Sequence, residues 1–177
     1  MLNDDQIQQQ LQADLQVAFD AACKQIPHDA IVGFGILSND TGTMFLPVIA
    51  SLQDQAESTS RDDFLFDPCN WLQNVSRDII ERYVQLFNTL YEECDDEESD
   101  DHWHEEFRSR VYQILVRSLE HLKRNRYFDF LAQEPFLIVW VVDSVLPNVR
   151  GRAWSKRLNS PQMHRKFIAW LDRIYGA

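Results

Sequence analysis

Cysteine is sparse in this chain. Cys23, Cys69 and Cys94 are odd in number, with no C-x-x-C spacing, so neither a disulfide framework nor a zinc knuckle has a basis. Free, partly buried thiols in a reducing compartment are expected. Long apolar runs are missing as well. The longest, Phe136 to Val142, is far too short to cross a bilayer. The start, Met1-Leu2-Asn3-Asp4-Asp5, is acidic and Gln-rich where a signal peptide would be basic and then apolar. A cytoplasmic protein without membrane contact is the expectation. Catalytic signatures are lacking too: no G-x-S-x-G elbow, no H-E-x-x-H, no Walker loop and no G-x-G-x-x-G. Finally, no lysine or arginine interrupts residues 92–106.

What is present suffices for a core. Apolar residues are 45% of the 177 and aromatics 12%. One domain spanning 1–177 is expected, able to bury roughly 70% of its unfolded surface. The net charge of −11 is unevenly spread. Residues 1–91 hold 13 acids and 4 bases, residues 92–106 hold ten acids, and residues 107–177 hold 5 acids and 13 bases. Separate blocks of this kind set up a strong dipolar field; blocks folded against one another cancel it.

Periodicity assigns most elements. Ile7, Leu11, Leu15, Phe19, Ala22 and Ile26 recur at helical spacing until Pro27 stops the helix. Ala30–Leu37 and Thr43–Ile49 read as a β-hairpin around the turn Ser38–Gly42, and Pro47 places the second strand at an edge or bulge. Ser51–Ser58 admits a short helix. Ser76 caps a helix with the stripe Ile79, Ile80, Tyr83, Val84, Phe87, Leu90 and Tyr91. Trp103, Phe107, Val111, Ile114, Leu115, Leu119 and Leu122 mark another. Phe136–Val142 is a buried strand ending at Asp143. Ser160 and Pro161 open a last helix, with Met163, Phe167, Trp170, Leu171 and Ile174 facing inward. The order α-ββ-αα-β-α predicts an α+β fold: a small, mainly antiparallel sheet (the hairpin plus a later strand) covered by about four to five helices.

The stretch Glu92–Phe107 attracts most attention. Its carboxylates and His102 and His104 are suitable ligands for zinc, manganese or calcium. On a helix, however, residues two apart diverge by about 200°, so the two histidines cannot share one ion there. The run also lacks the glycine of an EF-hand loop. Asp100, Asp101, Glu105 and Glu106 suit the positive end of a helix dipole, which makes a solvated helix start the plain reading. The remaining acids extend beyond that first turn. A dense carboxylate cluster accelerates encounter with a basic groove, which makes Asp95, Asp96, Glu97, Glu98, Asp100 and Asp101 candidate partner-binding residues in an inter-helix loop at about 94–101. No catalytic residue, metal ligand or cofactor site is assigned. Cys69 with a distant histidine lacks demonstrable proximity, and Gly33 and Gly35 are read as sites of close backbone packing. Asp143 is read as a polar strand end. The basic set Arg124, Arg126, Arg150, Arg152, Lys156, Arg157, Arg165 and Lys166 allows nucleic-acid binding in principle. The acidity of the rest of the chain opposes it, and pairing with acidic surface is the simpler expectation.

The hairpin Ala30–Ile49 after an amphipathic helix, Asn70-Trp71, the stretch Phe136–Ser144, and Ser155–Pro161 before a helix with Phe167 and Trp170 together resemble a family of small bacterial α+β proteins known only as a domain of unknown function. The family is similar to the immunity proteins that accompany polymorphic toxins, with the Smi1/Knr4-like immunity superfamily as a neighbour. The resemblance implies a non-enzymatic cytoplasmic protein that occludes the active site of a cognate toxin domain, such as a nuclease or an NAD-consuming transferase. Alternatives are a metal-assisted hydrolase using the acidic and histidine segment, and a nucleic-acid or regulatory adaptor acting through the basic third.

Overall fold

The computed structural model describes residues 3–58, 60–71, 77–92, 101–142 and 147–176, without the side chains of 77–80, 89, 90, 92, 101–103 and 147–149. Helix α1 (Asp4–Cys23) opens with a capping box. Asn3 Oδ1 accepts from the Gln6 amide at 2.9 Å, and the Asn3 amide donates to Gln6 Oε1 at 3.0 Å. The helix ends at Cys23, short of Pro27. Five of the six apolar residues read from its periodicity are buried on it, Ile26 is buried just beyond it, and Asp14 is buried on the helix 3.3 Å from Arg82.

Strands β1 (Ile31–Ser38) and β2 (Phe45–Ser51) form the expected antiparallel hairpin. Strand β3 (Phe136–Val141) joins the other side of β1 in parallel, so the sheet is mixed, with the order β2-β1-β3. Pro47 therefore lies on an edge strand, where its missing N–H breaks no ladder.

All eight residues of β1 are buried, because helices cover both faces. On one side, Phe34, Ile36, Phe45 and Val139 pack with α1 and with α5 (Asp101–Arg124). On the other, Leu37, Val48, Ile138 and Trp140 meet Phe66, Trp71 and the Phe167 and Trp170 of α7 (Pro161–Tyr175). A strand with two covered faces reads as a continuous apolar run, which is what the sequence around Ile31 and Phe136 shows.

Two glycines admit the second layer. A Cβ on Gly33 would lie 2.7 Å from the Trp71 ring, and one on Gly35 would lie 2.8 Å from Ile138 Cγ2 and 3.1 Å from Trp71. The indole thus rests directly on the backbone of β1, and its Nε1 donates to the Phe64 carbonyl at 2.9 Å. The outer edge of β3 is covered by a side chain. Asn159 accepts from the Leu137 amide at 2.8 Å and donates to the Leu137 carbonyl at 2.7 Å, as a further strand would.

The remaining helices are α2 (Leu52–Glu57), capped by Ser51, α3 (Arg61–Phe66), α4 (Arg77–Glu92) and α6 (Pro147–Leu158). The sequence pattern did not reveal α3 or α6. The first is six residues long, and among the described side chains the second buries Gly151, Trp154, Ser155 and Leu158 between basic residues, too few apolar positions for a stripe. Ser155–Leu158, read as lying before the final helix, belong to α6. Ile174 is a correction as well: it is exposed together with Arg173 and Tyr175, because the last turn of α7 has left the core. Cys69, expected to be partly buried, is exposed on a one-turn 3-10 helix at Pro68–Asn70, whereas Cys23 is half-buried. The readings at Ser76, Cys94 and Asp143 lie outside the described residues. Among the described residues no helix is long and apolar enough to cross a membrane.

The Gly35→Val variant is expected to lose about 1–3 kcal/mol in urea unfolding through overpacking against Trp71 and Ile138. Gly151→Ala is expected to be neutral or to gain up to about 1 kcal/mol, since its new carbon would stand 3.7 Å from Phe167 within a helix. Equal effects of the two would contradict this account of the glycines.

Candidate functional site at the carboxyl end of the parallel strands

Parallel strands gather functional groups at their carboxyl ends, where the chain leaves the sheet and helices begin. Here β1 ends at Ser38 and β3 at Val141, which are paired, and the Val142 amide donates to the Ser38 carbonyl at 2.8 Å. Four structural pieces meet beyond that line: the hairpin turn 39–44, the carboxyl end of α4, the first turns of α5, and Arg150 of α6.

The turn is organised by Asn39. Its Oδ1 accepts from the Met44 amide at 3.0 Å, and its Nδ2 donates to Thr41 Oγ1 at 2.7 Å and Thr43 Oγ1 at 3.0 Å. Gly42 adopts φ +74, a left-handed conformation that favours glycine, close against Val111 and Arg108 of α5. Tyr112 fixes the turn to α5 by sharing its hydroxyl between the carbonyls of Asn39 and Asp40, both at 2.9 Å. Burial pushes the Tyr112 phenol up to about 12 against the pull of Arg150 and Arg108, so it remains a protonated donor at neutral pH.

Helix α5 brings the charged groups. Glu105 accepts from Arg108 Nη2 at 2.7 Å and from Arg150 Nη2 with its other oxygen. The Arg150 guanidinium also lies over the Tyr112 ring, 5.2 Å from its centroid. The Arg108 Nε is buried without a hydrogen-bond partner. Tyr91, near the end of α4, shares a hydrogen bond of 2.9 Å with His104 Nδ1 and stacks on its ring at 5.4 Å. Phe107 meets Tyr91 edge-on at 5.4 Å. Thr41, Tyr91, His104 and Arg108 line a half-open recess of about 260 Å³. A larger cavity of about 330 Å³ lies at the opposite end of β3, where its charged residues are Lys123 and Glu134, paired at 3.4 Å, and Asp129. The chemistry is concentrated at the carboxyl end.

Asp95, Asp96, Glu97, Glu98 and Asp100 lie outside the described residues. Asp101 is the first residue of α5, and its side chain also lies outside them. The run they form connects α4 to α5, so its two ends are set by the helices that Tyr91 and His104 clasp together. Helix α5 contains both His102 and His104, and the His102 side chain lies outside the described residues. Among the described residues no three His, Cys, Asp or Glu side chains come close enough to hold a metal. Periodicity had placed Tyr91 in an apolar stripe and left Thr41, His104 and Arg108 unassigned as a group. Their juxtaposition follows from the parallel addition of β3 and from the α4–α5 clasp, neither of which has a local sequence signal.

Residues 11–160 match the family described as a domain of unknown function (DUF4303), and the chain belongs to that family. The matched stretch contains every residue of the recess. Comparisons with curated proteins and with solved structures found no match.

Tyr112→Phe is expected to cost about 1 kcal/mol and to accelerate amide exchange at Gly42 and Met44. Exchange at wild-type rates in this turn would show that the phenol does not hold it.

Proposed function

We propose that this family member is a non-enzymatic binding protein that docks a basic protein surface through its acidic segment, Asp95, Asp96, Glu97, Glu98, Asp100 and Asp101. On this reading the partner is a toxin domain whose phosphate-holding lysines and arginines are covered, the protein acting as its cytoplasmic immunity factor, as in proteins of polymorphic-toxin loci and the Smi1/Knr4-like superfamily.

One observation carries the reading. Nine of the thirteen bases after residue 106 are in ion pairs among the described residues: Arg108 and Arg150 with Glu105, Arg110 with Asp4, Lys123 with Glu134, Arg124 and Arg157 with Glu120, Arg126 with Asp129, Arg152 with Asp172, and Arg173 with Asp63. Only Glu105 among these partners comes from residues 92–106. Among the described residues the basic third is thus engaged mainly with acids outside residues 92–106, which supports an external partner for the acidic segment. Such pairs add little to stability at an exposed surface, but each removes a charge from the field seen at a distance. The same pairs engage five of the eight bases that a nucleic-acid role would draw on: Arg124, Arg126, Arg150, Arg152 and Arg157.

A carboxylate cluster steers association more than it adds affinity. Replacing the six acids with Ser or Asn should slow association with the partner by about tenfold or more at low salt and flatten its dependence on ionic strength. Stopped-flow mixing with the partner protein, sought first in the product of the neighbouring gene, measures both. Unchanged association rates would remove the segment as the recognition element.

A further inference from the structure

A second electrostatic feature lies on the helical layer, at the carboxyl end of α5, and is basic. Helix α5 carries Arg117, Glu120, His121 and Arg124 on successive turns, flanked by Gln8 of α1 and Arg157 of α6. These six residues line a cavity of about 290 Å³. Three guanidinium groups surround one carboxylate, a local positive excess in a chain of net charge −11.

The arrangement is ordered by Glu120. Its side chain is largely buried, 15% exposed, and its oxygens are divided between two arginines: Oε1 accepts from Arg124 Nη2 at 2.8 Å, and Oε2 from Arg157 Nη2 at 2.7 Å. Arg157 Nη1 also donates to Gln113 Oε1 at 3.2 Å. Glu120 thereby holds two guanidinium groups in place while engaging one N–H from each. A guanidinium has five such donors, so most remain available. Arg117 stands one turn before Glu120, within ordinary reach of a carboxylate. Each Glu120 oxygen already accepts from one arginine, and Arg117 has no ion pair or hydrogen bond among the described residues.

We infer that the Arg117–Arg124–Arg157 cavity is a binding site for a small phosphate-bearing ligand. Planar arginine forks match phosphoryl oxygens two at a time. A single carboxylate needs one arginine, whereas three guanidinium groups around a small recess suit the multiple charge of a phosphoryl or diphosphoryl group. The internal carboxylate keeps two of the arginines from collapsing onto other acids, so the site is preorganised. Its dimensions suit a compact anion rather than a strand of nucleic acid. This site is independent of the docking role proposed for the acidic segment.

Isothermal titration of the full chain at low ionic strength with inorganic pyrophosphate, and separately with ADP, tests the inference. Saturable one-to-one binding is expected for both, weakened about tenfold or more in Arg117→Gln and in Arg157→Gln. Arg117→Gln breaks no described contact and so separates loss of binding from loss of fold, and circular dichroism checks Arg157→Gln. Tighter binding of ADP would place the nucleoside against the site, and equal binding would assign recognition to the phosphoryl groups alone; both support the inference. No saturable heat with either probe overturns it. So does binding that the variants leave unchanged, or affinity only for single-stranded RNA that grows with its length.

Discussion

Strand β1 is hydrogen-bonded along both edges and covered on both faces, and the other elements are arranged by that enclosure. A strand so placed can carry almost no polar side chain. Its one hydroxyl, Ser38, donates to the Met44 carbonyl at 3.0 Å. Nor can both neighbouring layers be bulky where they meet the strand. Gly33 and Gly35 resolve that conflict by letting Trp71 lie on the backbone. Because β3 adds in parallel, the carboxyl ends of two strands reach the same line, and the turn 39–44, α4, α5 and α6 converge there. The recess around His104 is a consequence of the sheet topology.

The same topology explains how charge is distributed. Helices α5 and α6 bear most of the basic third, and their arginines meet acids from α1 and α7 as well as from α5 itself, while Arg173 of α7 pairs with Asp63 of α3. The block charges of the sequence therefore do not all survive as blocks in the fold. One departure from local neutrality stands out among the described residues, the triple-arginine cavity beside Glu120, where one carboxylate is divided between two guanidinium groups and the third has none.

The helices that could be read in the sequence are those with a full apolar stripe. In α1, Ile7 through Ala22 repeat at helical spacing, and in α5, Phe107 through Leu122 do the same; the structure buries all of them. The hairpin and the edge position of Pro47 were also legible, because turn residues and a missing N–H are local facts. Parallel pairing of β3 was not, since its partner lies a hundred residues earlier and parallel register has no turn to announce it. Helix α6 was hidden for a different reason: Trp154 and Leu158 bury themselves while Arg150, Arg152 and Arg157 of the same helix pair outward. In the recess, Tyr91 looked like one more apolar residue. Its hydroxyl on His104 is set by the approach of two helices, and the approach of helices has no period.

The central claim is that the acidic segment is a docking surface for a cationic protein. Co-purification of the chain with the protein encoded beside it, followed by hydrogen exchange of the free and bound chain, tests this most directly. The account predicts a stable complex in which protection is concentrated at residues 95–101 and the adjoining start of α5. Failure to form a complex, or protection confined to other surfaces with that segment unchanged, would contradict it.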